Sequence, residues 1–337
     1  MNKMGFISIF IILVVGIVLL NTLFVFNILS LQNHISIASK NKTQSYLLLQ
    51  DKINRLIYDR DNFNKYIKPK IIKNCRGTIT RQSIDFGDDL ELKKHIIKAT
   101  VYFEEINNRK NIVIDMETKF NEISRFSKSY GTIINEIFEM DKNYVSNMEI
   151  ENLKENYSEK FYSLIRKIER EISDYDFLSS TEKINTSGNI EIDKKSIRKN
   201  YREDGEDMYS EIITNYKPYN RVPLNIFKDK TIDKANLQFG ESGNNEPIRF
   251  KGIVYVEGDI VIEQDVEYEG IIIVNGGDII VNSESIFKVN GMIIHSEGEV
   301  VGDIRFEKNQ NLRKSIYSFG SYLPGFIESN INVIKKY

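Results

Sequence analysis

The chain is 337 residues long with a formal net charge of −2, so it lacks the basic excess that nucleic-acid binding requires. Its single cysteine, Cys75, excludes an internal disulfide framework and a cysteine-based zinc site. Tryptophan is absent, proline occurs five times, and the heavy use of Ile, Lys and Asn reads as the codon bias of an AT-rich bacterial genome.

The first element is an uncharged run from Gly5 to Leu31, 27 residues long. A helix needs only about 20 residues to cross the hydrocarbon core of a bilayer, and in lipid the backbone must satisfy its own polar groups. A cleaved secretory signal has an apolar core of about 7–15 residues, so Ser36-Ile37-Ala38 is set aside as a cleavage site. The run is therefore expected to be a retained single-pass anchor, residues 1–31, in contact with membrane lipid. Lys3 precedes it and Lys40, Lys42, Lys52 and Arg55 follow, so the positive-inside count is indecisive. The short N-terminal stub and the long remainder favour a bacterial cell membrane location with the bulk extracytoplasmic.

Helical periodicity continues from Gln32 to Tyr66, with Ile35, Ala38, Tyr46, Leu49, Ile53, Leu56 and Ile57 on one face, and Phe63 extending it. No Gly or Pro interrupts the chain between Leu31 and Pro69. One long helix is expected, its second half laid on a following domain that covers its apolar stripe. From Lys70 to about Gly131 the pattern is mixed strand. Ile96–Phe103 and Ile112–Phe120 read as a hairpin joined by Asn107–Asn111, with a third strand within Ile123–Ile134. Asp141–Ser173 reads as helix, with Met148, Leu153, Tyr157, Phe161, Leu164, Ile165 and Ile168 on one face.

Residues 32–178 thus form an α+β domain, and the polar stretch within 179–221 is expected to be a linker or insertion. After it, Gly252, Gly270 and Gly291 each open a β-branched run, spaced by 18 and 21 residues. Gly258, Gly277 and Gly298 follow them, spaced by 19 and 21. A period of about 20 with glycine corners signals a short parallel β-solenoid over 222–310. Strands at Ile253–Val256, Ile260–Ile262, Val266–Tyr268, Ile271–Val274, Ile279–Val281, Ile286–Val289, Met292–His295 and Ile304–Phe306 would line three stacked faces. The tail, 311–337, is expected to cap the stack with a helix over Asn311–Tyr322 that ends at Leu323-Pro324-Gly325.

No constellation declares a reaction. His34, His95 and His295 lie at no metal-ligand spacing and read as surface or loop histidines. Gly240-Glu241-Ser242-Gly243 places its second glycine one residue early for a nucleophile elbow and reads as a turn. The clusters Asp85/Asp88/Asp89/Glu91 and Glu203/Asp204/Glu206/Asp207 do not follow the EF-hand order and read as solvated loop charge. In the coils, Glu257, Asp259, Glu263, Asp265, Glu267, Glu269 and Asp278 read as structural charge, although longer solenoids host carbohydrate-active enzymes that use carboxylates. No catalytic, cofactor or metal site is expected.

Met4-Gly5-Phe6, the short basic leader, the uncharged helix and then Asn41–Ile53 (NKTQSYLLLQDKI) resemble the start of PilX-like type IV pilus assembly proteins. Gly5-Phe6 resembles a prepilin peptidase junction, and Phe10, the fifth residue after it, stands where pilins carry Glu. The repeats resemble the coils of bactofilin-like polymer-forming proteins. These resemblances imply a pilin-like helix and antiparallel sheet followed by a solenoid, in a non-enzymatic component of a type IV pilus-like or cell-surface apparatus. Its partners would be other pilin-like or pilus assembly proteins, with self-association through the solenoid. The alternatives are a membrane-anchored envelope scaffold that self-associates through its solenoid, and a carbohydrate-active β-helix enzyme.

Overall fold

The computed structural model describes residues 3–77, 81–106, 109–140, 142–152, 155–172, 183–186, 189–193, 196–203, 206–215, 224–227, 236–241, 246–307 and 312–336. Helix α1 runs unbroken over Lys3–Tyr58. Its side chains from Ile7 onward stand almost entirely in solvent until Ser45, after which Leu49, Ile53, Leu56 and Ile57 are buried. Ile35 and Ala38, expected on the covered face, are exposed because they lie below Asn41, where the body first meets the helix, and Tyr46 is exposed although its neighbour Ser45 is buried.

The helix stops eight residues before the expected end at Tyr66. Asp59 adopts extended backbone (φ −77°, ψ 117°), and its carboxylate accepts from the amides of Asp61 and Asn62, capping a new segment. That segment comprises α2 (Arg60–Asn62), a π-helical turn at Phe63–Ile67 and α3 (Lys68–Cys75), the Lys68 amide reaching back to the Phe63 carbonyl just before Pro69, which has no N–H to continue the ladder.

Strand β1 (Arg81–Ser83) and helix α4 (Leu90–Lys93) lead into β2 (Ile96–Ile106), β3 (Arg109–Phe120) and β4 (Ile123–Ile134). The predicted hairpin and third strand are present, and the sheet is antiparallel. Alternation along β3 sends Ile112, Ile114 and Met116 into the core that α1 covers. The helix expected over Asp141–Ser173 is interrupted. After α5 (Glu136–Glu139) come β5 (Tyr144–Ser146), α6 (Asn147–Glu151) and α7 (Glu155–Glu171). Phe161, Leu164, Ile165 and Ile168 of α7 are buried as expected, Met148 is exposed, and Leu153 lies outside the described residues.

The stretch expected as a linker instead carries strands β6 (Lys183–Thr186), β7 (Asn189–Ile192), β8 (Ser196–Glu203) and β9 (Glu206–Asn215). Two of these already belong to the solenoid: β6 pairs in parallel with β10 (Leu224–Phe227), and β7 with β11 (Leu237–Phe239). The stack continues through β12 (Ile248–Val256), β13 (Ile260–Ile262), β14 (Val266–Val274), β15 (Ile279–Val281), β16 (Phe287–His295), β17 (Val300–Val301) and β18 (Ile304–Phe306). Strands expected as separate pairs fuse into β14 and β16, so two sheets carry the faces, β18-β16-β14-β12-β10-β6 and β17-β15-β13-β11-β7-β8-β9.

The long strands carry Gly252, Gly270 and Gly291 at their middles, in register with one another. Gly270 has φ +146°, and a Cβ there would run into the Gly252 carbonyl oxygen of the coil below. Only glycine permits that approach.

Beyond the glycine column both faces of each strand are covered. Val254, Val256, Ile272, Val274 and Ile293 fill the solenoid interior. Ile253, Tyr255, Ile271, Ile273, Met292 and Ile294 point the other way, into the same core as α1, α7 and the antiparallel sheet. Burial on two faces is why these runs are continuously apolar, whereas Val266-Glu267-Tyr268-Glu269 alternates. The solenoid and the α+β portion therefore share one core.

The tail also departs from expectation. Helix α8 (Leu312–Gly320) packs on the flank of β14 and β16, contributing Ile316 and Phe319 to the shared core, and does not cover the end of the stack. The chain then returns as β19 (Ile327–Lys336), antiparallel to β4, completing a five-stranded sheet in the order β1-β2-β3-β4-β19.

Candidate functional site

Three surfaces stand out: the apolar N-terminal half of α1, the charged and acid-lined sides of the coils, and the place where the α+β portion enters the solenoid. Among the described residues α1 is the one helix long and apolar enough to cross a membrane. Its apolar side chains are on the surface, Leu20 and Phe26 being 68% and 69% exposed, which water would penalise and lipid would not.

The acidic residues of the coils tie each turn to the next. The Asp259 carboxylate accepts the Asp278 amide at 2.9 Å, and Asp278 in turn accepts the Glu299 amide at 2.8 Å. Asp265 accepts the Ile286 amide at 2.7 Å, and Glu263 accepts from the Asn282 side chain at 2.9 Å. The Tyr255 hydroxyl donates to Glu257 at 2.7 Å. On the outer side, charges alternate in sign up the stack: Arg249 sits 2.9 Å from Glu267, and Lys251 lies 2.7 Å from Glu269. Each carboxylate singled out in the coils thus has a structural partner.

His295 departs from its expected place on the surface. It is 1% exposed, its Nε2 lies 2.6 Å from the Gly277 carbonyl oxygen, and its Nδ1 lies 2.9 Å from the Tyr144 hydroxyl. A carbonyl can only accept, so Nε2 carries the proton and Nδ1 accepts from Tyr144. This contact belongs to an unforeseen element: β5 pairs in parallel with the second half of β16, Tyr144 opposite Ile293, while β18 pairs with the first half. The last coil is completed by a strand from about 150 residues earlier in the chain.

The other candidates have local duties. His34 is exposed on α1, and His95 takes φ +71° at the start of β2, its Nδ1 3.1 Å from the Lys119 carbonyl oxygen. Asp85 caps Gly87, and Asp89 caps α4 through the Leu92 amide. Gly240 occupies a positive-φ turn, whereas Ser242 and Gly243 lie outside the described residues. Glu203 and Glu206 are backbone register partners at the end of the β8–β9 hairpin, Arg202 and Asp207 are the next such partners, and Asp204 lies outside the described residues.

A groove also forms where β19 returns, lined by Asn135, Glu136, Lys160, Lys167 and Glu328 among others. Glu136 and Lys160 form a 2.9 Å ion pair. Burial raises the Glu328 carboxyl above the usual range, nearby Glu136 adds to this, and Lys160 and Lys167 oppose it. The two acids are 192 positions apart in sequence, so no spacing rule reveals the groove.

No protein-family model, curated protein or solved structure matches the chain.

Proposed function

We propose that the chain is a membrane-anchored, non-enzymatic component of a bacterial type IV pilus-like assembly, held by its N-terminal helix and presenting the solenoid as an interaction surface. The observation that carries this reading is the continuity of α1: a segment of membrane-crossing length runs without a break into a segment buried on an antiparallel sheet. A rigid element of that kind transmits position from the bilayer to the body, which suits assembly through helix packing. The resemblance of Met4-Gly5-Phe6 and of Asn41–Ile53 to PilX-like proteins supports the same reading. Partners would be other pilin-like chains, and the bulk would be extracytoplasmic.

Co-expression with a prepilin peptidase followed by N-terminal sequencing tests it. A mature chain beginning at Phe6 and recovered in sheared surface fibres is the expected result. A chain that begins at Met1 and is absent from such fibres overturns the pilus assignment.

A second reading, an envelope scaffold that self-associates through the solenoid, has its own observation. In the last coil, Val300 and Val301 are 37% and 51% exposed, and β17 presents an edge with no strand beyond it among the described residues. Under this reading Val301→Asp abolishes end-to-end oligomers seen by sedimentation. Under the first reading it leaves the oligomeric state unchanged.

A further inference from the structure

The chain has no Asp, Glu, Lys or Arg between Lys3 and Lys40, an interval of 36 residues. At about 1.5 Å per residue this helical segment is about 54 Å long. A bilayer is about 40–45 Å thick with its headgroups included, so a steep tilt of about 35–40° lets Lys3 and Lys40 bracket the whole of it. The body meets α1 at the next residue: the Asn121 side chain, at the tip of the β3–β4 turn, donates to Asn41 at 3.4 Å. One turn further up, Arg125 donates to Ser45 at 3.3 Å. The lower rim of the antiparallel sheet therefore lies at the level where the headgroups end.

That rim differs from the rest of the molecule. Lys98, Lys119 and Arg125 stand at the lower ends of β2, β3 and β4, Lys94 precedes His95, which is bonded to Lys119, and Lys40 and Lys42 flank Asn41 on α1; Glu117, opposite Lys98, and Glu122 in the β3–β4 turn are the acids among these strand ends. A chain of net charge −2 thus turns a basic collar toward the membrane. Two large apolar side chains stand in the collar. Ile97 is extruded by a register shift between Ile96 and Lys98 and is 54% exposed. Phe126, paired with Glu117, is 56% exposed.

We infer that this rim is a docking surface for an anionic bilayer, with the six cations on lipid phosphates and with Ile97 and Phe126 in the headgroup layer. The inference rests on α1 being a membrane anchor, and it adds that the body is seated on the leaflet and does not swing freely above it. Charge complementarity and the direct continuity of α1 with the rim identify the occupant. The effect should weaken in high salt, where the Debye length falls from about 8 Å to about 3 Å.

The test uses the full chain carrying Ile97→Cys, labelled with an environment-sensitive fluorophore. Cys75 is buried, so the introduced thiol alone takes the label. The protein is reconstituted in phosphatidylcholine liposomes and in phosphatidylcholine–phosphatidylglycerol liposomes. A blue shift in the mixed liposomes only, reversed by high salt and by the exposed-site pair Lys98→Glu and Lys119→Glu, is expected. A label at Val301→Cys should stay aqueous throughout. An aqueous Ile97 label in both compositions, with the chain still floating with the liposomes, overturns the docking surface but leaves the anchor standing. A shift that ignores lipid charge and salt overturns the electrostatic recognition. Failure to float with either composition overturns the anchor and the docking surface together.

Discussion

The Tyr144 hydroxyl donates to Nδ1 of the buried His295 at 2.9 Å, and this bond fastens the α+β portion to the last coil of the solenoid. Because Nε2 is committed to the Gly277 carbonyl, the imidazole spans two coils and one foreign strand. Tyr144→Phe keeps the ring but leaves Nδ1 without its donor. A loss of about 1–3 kcal/mol is expected, the cost of an unsatisfied buried acceptor. Denaturant unfolding of the detergent-solubilised chain measures it, and an unchanged midpoint would show that the bond does not hold the junction.

The glycine column gives a sharper prediction. Gly270→Ala adds a Cβ against the Gly252 carbonyl at φ +146°, so strain and overpacking combine to a loss of about 3 kcal/mol or more. Gly276→Ala is the control: φ is +79°, but a Cβ there meets nothing within 4 Å. It should cost only the backbone strain, about 1–2 kcal/mol. Thermal unfolding followed by circular dichroism compares the two, and equal losses would rule out inter-coil crowding as the cause.

These contrasts separate what local sequence reveals from what it hides. The long apolar N-terminal helix, the β2–β4 sheet and the coil spacing were legible because each is a pattern carried by neighbouring residues. The runs Ile253–Val256 and Ile271–Val274 do not alternate, which agrees with their burial on two faces, but from sequence they read only as strands lining the stack. What covers their outer side could not be read, because α7, α8 and β5 arrive from distant parts of the chain. The break at Asp59 was missed for another reason. Within Tyr58-Asp59-Arg60-Asp61-Asn62 a capping aspartate looks the same as a solvated helical one until its backbone is seen. His295 follows the same logic: an isolated histidine signals nothing until Tyr144 and Gly277 are brought to it.

The groove at the return of β19 predicts a pH dependence. Burial raises the folded-state pKa of Glu328, so between the ordinary carboxylate value and the raised one the folded chain holds a proton that the unfolded chain has lost. Stability contributed by this site is therefore present at low pH and falls as pH rises through that window. Glu328→Gln removes the titration. It should stabilise the protein at about pH 8 and give no gain at about pH 3, where the carboxyl is protonated in both the folded and the unfolded chain. Urea midpoints at the two pH values decide the matter, and an equal gain at both would point to packing and not to charge.

The final prediction concerns Cys75, which packs in the shared core at 2% exposure. Burial pushes its thiol up to about 12, outweighing the pull of Lys110 and Arg76 in the other direction. The thiolate is the reactive form, so the folded chain should resist maleimides and disulfide reagents at neutral pH and react fully once unfolded. Labelling as a function of denaturant should then follow the same transition as circular dichroism. Substitutions should rank by polarity as well as by size: Cys75→Ser carries a hydroxyl into an apolar pocket and should cost more than Cys75→Ala, by about 1 kcal/mol. Fast labelling of the native chain would show that the contact of α3 with the rest of the core opens locally. Labelling that keeps pace with global unfolding would place Cys75 within the same cooperative unit as the solenoid face it shares a core with.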